Sequence, residues 1–198
     1  MKKYLLKYIS ENNKQIRIVV TCILFGMLLG SFMFQLLNQD VKNELLNCIK
    51  LTLDIAKYEN FESINIIKNG ISLNMFVISV VYISAITFIA PLCICLLGLI
   101  KGFSIGIYIC TLLSVFGTIK GIISIFLIII LPNIIYLPAY IYMSVNAINF
   151  HYLILENSNR LSICVKETYK IIISFSLIML SILIEQLVSF GVINLYIN

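Results

Sequence analysis

Pro91-Leu92-Cys93-Ile94-Cys95-Leu96-Leu97-Gly98-Leu99-Ile100-Lys101-Gly102-Phe103-Ser104-Ile105-Gly106 places one charge in the middle of an apolar stretch. Residues 71–100 carry no charge at all, and neither do residues 102–119. Taken as a break, Lys101 ends one run and opens the next, and each is long enough to cross a hydrocarbon core of ~30 Å. Pro91 then sits inside the first run and predicts a kink or tilt there.

The same rule applied outward gives five spans. Lys120 separates 102–119 from the apolar run 121–155, which contains Pro132 and Pro138. Upstream, residues 18–37 are uncharged; downstream, 171–197 is apolar apart from Glu185. Composition agrees: 61% of residues are hydrophobic and 12% charged, with a mean hydropathy of +1.04. Soluble domains carry about 25% charged residues, so a water-exposed surface cannot be built from this chain. The expected fold class is therefore all-α, a polytopic membrane helix bundle of about five transmembrane helices forming one domain over 1–198, with one amphipathic helix in an outer loop. Tryptophan is absent, which leaves the 11 tyrosines as interface anchors.

The first run is long for a signal-peptide core of ~7–15 residues, and Phe34-Gln35-Leu36-Leu37-Asn38 offers no small-residue cleavage site, so a retained anchor is expected. Residues 38–70 form the one long polar stretch. Within it Val41, Leu45 and Ile49 recur at four-residue steps, continued by Thr52 and Ala56, which predicts an amphipathic helix lying on membrane or partner.

Charge sets orientation. Lys2, Lys3, Lys7, Lys14 and Arg17 precede the first span, and with Lys101, Arg160, Lys166 and Lys170 they give nine basic residues on one side. Lys42, Lys50, Lys57, Lys68 and Lys120 give five on the other, amid acids. The positive-inside bias places the N-terminus in the cytoplasm, with the 38–70 loop and the C-terminus outside. Lysines scattered around spans, rather than gathered on one face, argue against nucleic acid as a partner.

Small residues mark packing faces. Gly98, Gly102 and Gly106 recur every fourth residue, and Gly26 with Gly30 repeats the spacing, which lets helix backbones approach closely. Asn133 and Asn146 are expected to point into the bundle and hydrogen-bond across helices. Glu185 is the one acid within an apolar run and reads equally as a paired intramembrane carboxylate or as an interfacial residue ending the span. Cys22, Cys93, Cys95 and Cys110 lie in apolar runs with no Cys-x-x-Cys pair, as small hydrophobes do.

Chemistry is thinly represented. Gly102-Phe103-Ser104-Ile105-Gly106 matches the G-x-S-x-G nucleophile elbow, with His151 as an imaginable base for an intramembrane serine protease. An elbow needs a strand–turn–helix setting, whereas this pentapeptide opens a predicted membrane helix. No H-E-x-x-H, Walker A motif or carboxylate pair is visible, so neither catalysis nor a cofactor is expected. A small transporter or channel component is the main alternative, with Lys101, Asn133, Asn146 and Glu185 as candidates to line a polar path.

The quoted stretch, followed by Leu131-Pro132-Asn133-Ile134-Ile135-Tyr136-Leu137-Pro138-Ala139, resembles the stage II sporulation protein M family of endospore-forming bacteria. The likeness covers the whole layout: a basic N-terminus, a first span, a polar outer loop, and an Asn near the start of the second span, here Asn74. Pro132 stands one position from the family's usual proline, and Tyr136 stands where broader relatives often carry Glu, which favours the sporulation branch. The resemblance implies a noncatalytic scaffold for forespore engulfment at the septal or engulfing cell membrane. Such a scaffold recruits the peptidoglycan-cleaving stage II sporulation proteins D and P, with membrane lipid and a second copy of the chain as further partners. Val41, Leu45 and Ile49 are the expected partner-binding stripe.

Overall fold

A computed structural model describes residues 2–58, 63–87, 89–156, 169–170 and 172–184. The described residues form helices α1 (Lys2–Glu11), α2 (Asn13–Leu36), α3 (Gln39–Tyr58), α4 (Ser63–Ile86), α5 (Ala90–Phe116), α6 (Thr118–Ser124) and α7 (Leu131–Glu156), with a π-helical turn (Ile125–Ile130) joining α6 to α7. A shorter apolar helix, α8, follows at Ile172–Ile184. Among the described residues three helical stretches are long and apolar enough to cross a membrane: Asn13–Leu36, Ala90–Phe116 and Thr118–Leu153. Asn74–Ala85 and Ile172–Ile184 are shorter apolar helices. The molecule is a helical membrane bundle, as its composition requires. Glu185 and most of the expected last span, 171–197, lie outside the described residues.

The breaks fall elsewhere than at the lysines. The helix carrying Lys101 runs unbroken from Ala90 to Phe116; α4 ends at Ile86 before it, and Gly117 breaks the chain after it. The expected spans 71–100, 102–119 and 121–155 are accordingly recut as α4, α5 and the α6–α7 stretch. The physical reason lies in the backbone. A lone lysine removes no helical hydrogen bond and forces no turn, whereas the residues at the observed breaks close one helix and start the next. At the first break the Ser84 carbonyl accepts from both the Thr87 N–H (3.0 Å) and the Thr87 hydroxyl (2.9 Å), which closes α4. Pro91 follows in the first turn of α5, where its missing N–H belongs among donors that lack a helical partner anyway, so it starts a helix rather than kinking one. At the second break Gly117 adopts φ +74° and its N–H caps Leu113 at 3.0 Å; that left-handed conformation favours glycine.

The largest interface joins α2 and α5 through their glycines. A Cβ built on Gly102 would meet the Ile23 carbonyl oxygen, and one on Gly106 that of Met27; Gly26 and Gly30 face the carbonyls of Leu99 and Phe103 in return. Backbone meets backbone at four positions that advance together along both helices, so α2 and α5 run parallel. Gly98 differs: its nearest neighbours would be Cys22 Cβ and Ile23 Cγ1 at 3.6 Å, an ordinary contact. The described α6–α7 stretch runs antiparallel to α5, because Leu113 packs on Gly121 while Tyr140 reaches back to Ile94. Val19, Ile23, Val81, Ile94, Tyr140 and Met143 meet in the core between these helices. Leu28, Phe76, Leu92 and Ile122 are exposed on the outside, the apolar exterior that a bilayer demands.

Candidate functional site

On α5, Lys101, Ser104, Tyr108 and Thr111 recur at steps of three, four and three, which places them on one helical face, roughly opposite Gly98, Gly102 and Gly106. The antiparallel α7 brings Asn133 and Tyr136 to the level of Lys101. The Lys101 ammonium lies 4.1 Å from the centre of the Tyr136 ring. Tyr136 is itself buried, donates its hydroxyl to Asn74 Oδ1 at 3.1 Å, and stacks on Tyr140 with centroids 6.2 Å apart. A single chain of contacts thus ties α5 to α7 and α4. Its energetics are close to balanced: a lysine at a helix centre in the membrane costs about 2.5–3.5 kcal/mol, and a desolvated cation–π contact returns about 2.

The π turn shapes the same region. Pro132 has no N–H to give the Ile128 carbonyl, and its ring would crowd that oxygen; the wider π turn at Ile125–Ile130 accommodates both. Asn133 then donates its side-chain amide to the Ile129 carbonyl at 2.7 Å. Its expected bond to another helix is therefore made within its own. Pro138 lies inside α7 on an exposed face, where a missing N–H disturbs no packed neighbour.

Between α3, α5 and this π region lies a cleft of about 480 Å³. Its polar lining is Lys101, Ser104, Tyr108, Thr111 and Asn133; Leu45 and Cys48 of α3 help to wall it, with Ile107, Ile128 and Ile129. Leu45 of the expected partner-binding stripe is thus turned towards α5, whereas Val41 is exposed. The side chain of Ile49 lies outside the described residues. The turn into α3 is pinned by Lys42, whose ammonium donates to the Gln35 carbonyl at 3.0 Å and sits over the Phe34 ring.

A second polar cluster joins the N-terminal segment to α7. Tyr8 donates to Asn146 Oδ1 (3.1 Å), Gln15 to Asn149 Oδ1 (3.4 Å), and Asn149 to Asn12 Oδ1 (2.7 Å). Asn146 does bond across helices, as its cost in an apolar setting demands. Tyr8, Asn12 and Gln15 carry no periodic signal and were legible only as a polar N-terminus. Lys101 had a signal: the four-residue glycine spacing passes straight through it, and such a spacing has meaning only on one uninterrupted helix.

Ser104 is not an elbow residue. It lies mid-helix and donates to the Ile100 carbonyl at 3.0 Å. His151 sits eighteen residues beyond Asn133 on α7, roughly 27 Å along the axis, and the two are not brought together. Among the described residues Cys22, Cys93, Cys95 and Cys110 take part in no disulfide. Among the described residues no three His, Cys, Asp or Glu side chains cluster as a metal would require.

Comparison with curated proteins and with solved structures gave no match. Comparison with family models gave one that spans residues 18–189, from the first apolar helix through the quoted glycine stretch, the Pro132-Asn133 region and the start of the C-terminal segment. With nearly the whole bundle inside that match, the chain belongs to the stage II sporulation protein M family.

Proposed function

We propose that this sporulation-family membrane protein is a noncatalytic scaffold that gathers peptidoglycan hydrolases, the stage II sporulation proteins D and P, at the septal membrane during engulfment. The observation that carries this reading is the mounting of α3. Its Leu45 side faces the bundle, while Asp40, Val41, Asn43, Glu44 and Asn47 are exposed on a helix whose entry is fixed by Lys42. A scaffold needs a polar surface held at a constant attitude, and α3 on the glycine-packed α2–α5 pair supplies one.

The N-terminus is cytoplasmic and the C-terminus external in this proposal. Removing mid-helix Lys101 from the inner side still leaves eight basic residues there against five outside. Cys48 on α3 should label from outside and a cysteine at exposed position Ser10 only after permeabilisation; Cys164, the other natural reporter, lies outside the described residues.

The deciding experiment combines Asp40→Lys, Val41→Ser and Glu44→Lys on the exposed side of α3. The variant should reach the membrane at normal level, fail to recover the two hydrolases in a pull-down, and stall engulfment, whereas Glu185→Gln recovers both. Normal recovery by the triple variant places the binding surface elsewhere. The transporter alternative draws on Lys101 and Asn133 lining one cleft, and flux through proteoliposomes containing the chain alone decides for it.

A further inference from the structure

The polar face of α5 does not end at a solvent-exposed helix terminus. At 1.5 Å per residue Lys101 lies roughly 17 Å from the start of α5 and 22 Å from its end, well inside an apolar helix. Ser104, Tyr108 and Thr111 continue from it for roughly 15 Å towards the end that meets Gly117. Together with Asn133 of α7 they supply the polar part of a cleft whose other walls are apolar. An ionisable residue at this depth is expensive and marks a functional position by default.

The walls define the occupant. Leu45, Phe103, Ile107, Ile128 and Ile129 make most of the lining apolar. Sequence neighbours of the lining residues are apolar and exposed as well, with Ile100 60%, Phe126 55% and Ile130 43% accessible. A molecule seated here has its head against an ammonium, hydroxyls and an amide, and its body against aliphatic side chains and the surrounding acyl chains. Lysine is a point-charge binder of phosphate. We propose that the α3–α5–α7 cleft binds the head group of an anionic phospholipid, with Lys101 neutralising its phosphate, Ser104, Tyr108 and Asn133 bordering it, and α3 closing over it through Leu45 and Cys48. The bilayer, not water, is the source, because entry from the flank favours a ligand that carries its own tails. This site is independent of hydrolase recruitment.

The test uses the full chain in nanodiscs of phosphatidylcholine doped with a photoactivatable phosphatidylglycerol, crosslinked peptides being identified by mass spectrometry. Crosslinks should map to α5 residues 101–111 and to the Leu45–Cys48 side of α3, and saturate with added phosphatidylglycerol. Lys101→Met should weaken labelling at least about tenfold, the order expected for a lost charge-assisted contact, while Lys101→Arg retains it. Ser104→Leu, which fills the groove without touching Lys101 or the glycine face, should abolish labelling in a protein that still elutes as wild type on gel filtration. Equal labelling by a phosphatidylcholine probe, unchanged labelling in Ser104→Leu, or displacement by millimolar inorganic phosphate would each overturn the assignment.

Discussion

The two faces of α5 are built from the same helix and behave in opposite ways. On one, Gly102 and Gly106, met by Gly26 and Gly30 of α2, let two backbones touch with no side chain between them. On the other, Lys101, Ser104, Tyr108 and Thr111 border a cleft. In lipid no hydrophobic effect drives helices together, so close van der Waals approach and polar contacts must supply association. The glycine face supplies the first and the Lys101–Tyr136–Asn74 chain the second. One face makes α2 and α5 a rigid pair; the other leaves room beside them. A membrane scaffold needs both, a fixed frame and a surface that something else can occupy.

The sharpest way to break this contrast is to add one carbon to the glycine face. Gly102→Ala puts a Cβ against the Ile23 carbonyl with no flexible side chain to yield, so the helices must part. An overpacking cost of about 1–3 kcal/mol is expected, seen as a lower melting temperature in detergent and less folded protein. Gly98→Ala, on the same stripe, has space and should be neutral or stabilising by up to about 1 kcal/mol from helix propensity. Equal destabilisation at both positions would remove the paired-backbone account of α2 and α5.

Effects on the polar face should be smaller. Asn133→Leu removes the amide that covers the Ile129 carbonyl beside the π turn and should cost about 1 kcal/mol. Circular dichroism melting of the variant reads this directly, and a larger loss would mean that the π turn depends on Asn133 rather than on Pro132. Tyr136→Phe keeps the ring under Lys101 and deletes only the hydroxyl bond to Asn74, so roughly 0.6 kcal/mol, the usual value for a membrane hydrogen bond, is expected. The smallest effect belongs to Ser104→Ala. Its hydroxyl only returns to its own helix, and stability should stay within about 0.5 kcal/mol with sporulation intact. Loss of engulfment at normal protein level would bring the serine chemistry back.

Periodicity and composition settled the class of this protein. Unbroken apolar runs of about twenty residues, without the alternation of barrel strands, satisfy their backbone in a bilayer as helices, and the four-residue glycine spacings marked faces for close approach. They did so locally, helix by helix. That the Gly26–Gly30 stripe packs on the helix carrying Gly102 and Gly106, some seventy-six residues away, is a matter of which helices become neighbours, and no local pattern carries it. Lys101 shows the same limit from the other side. A charge between apolar runs suggests a loop when water is the nearest compensation, but here a tyrosine ring thirty-five residues further along the chain supplies it, and the helix continues. Leu45 lay on a legible amphipathic stripe, yet only packing decided that its partner is α5. The sequence by itself determined what each segment must hide from water; tertiary structure decided against what, because burial is a property of two surfaces and the chain writes them far apart.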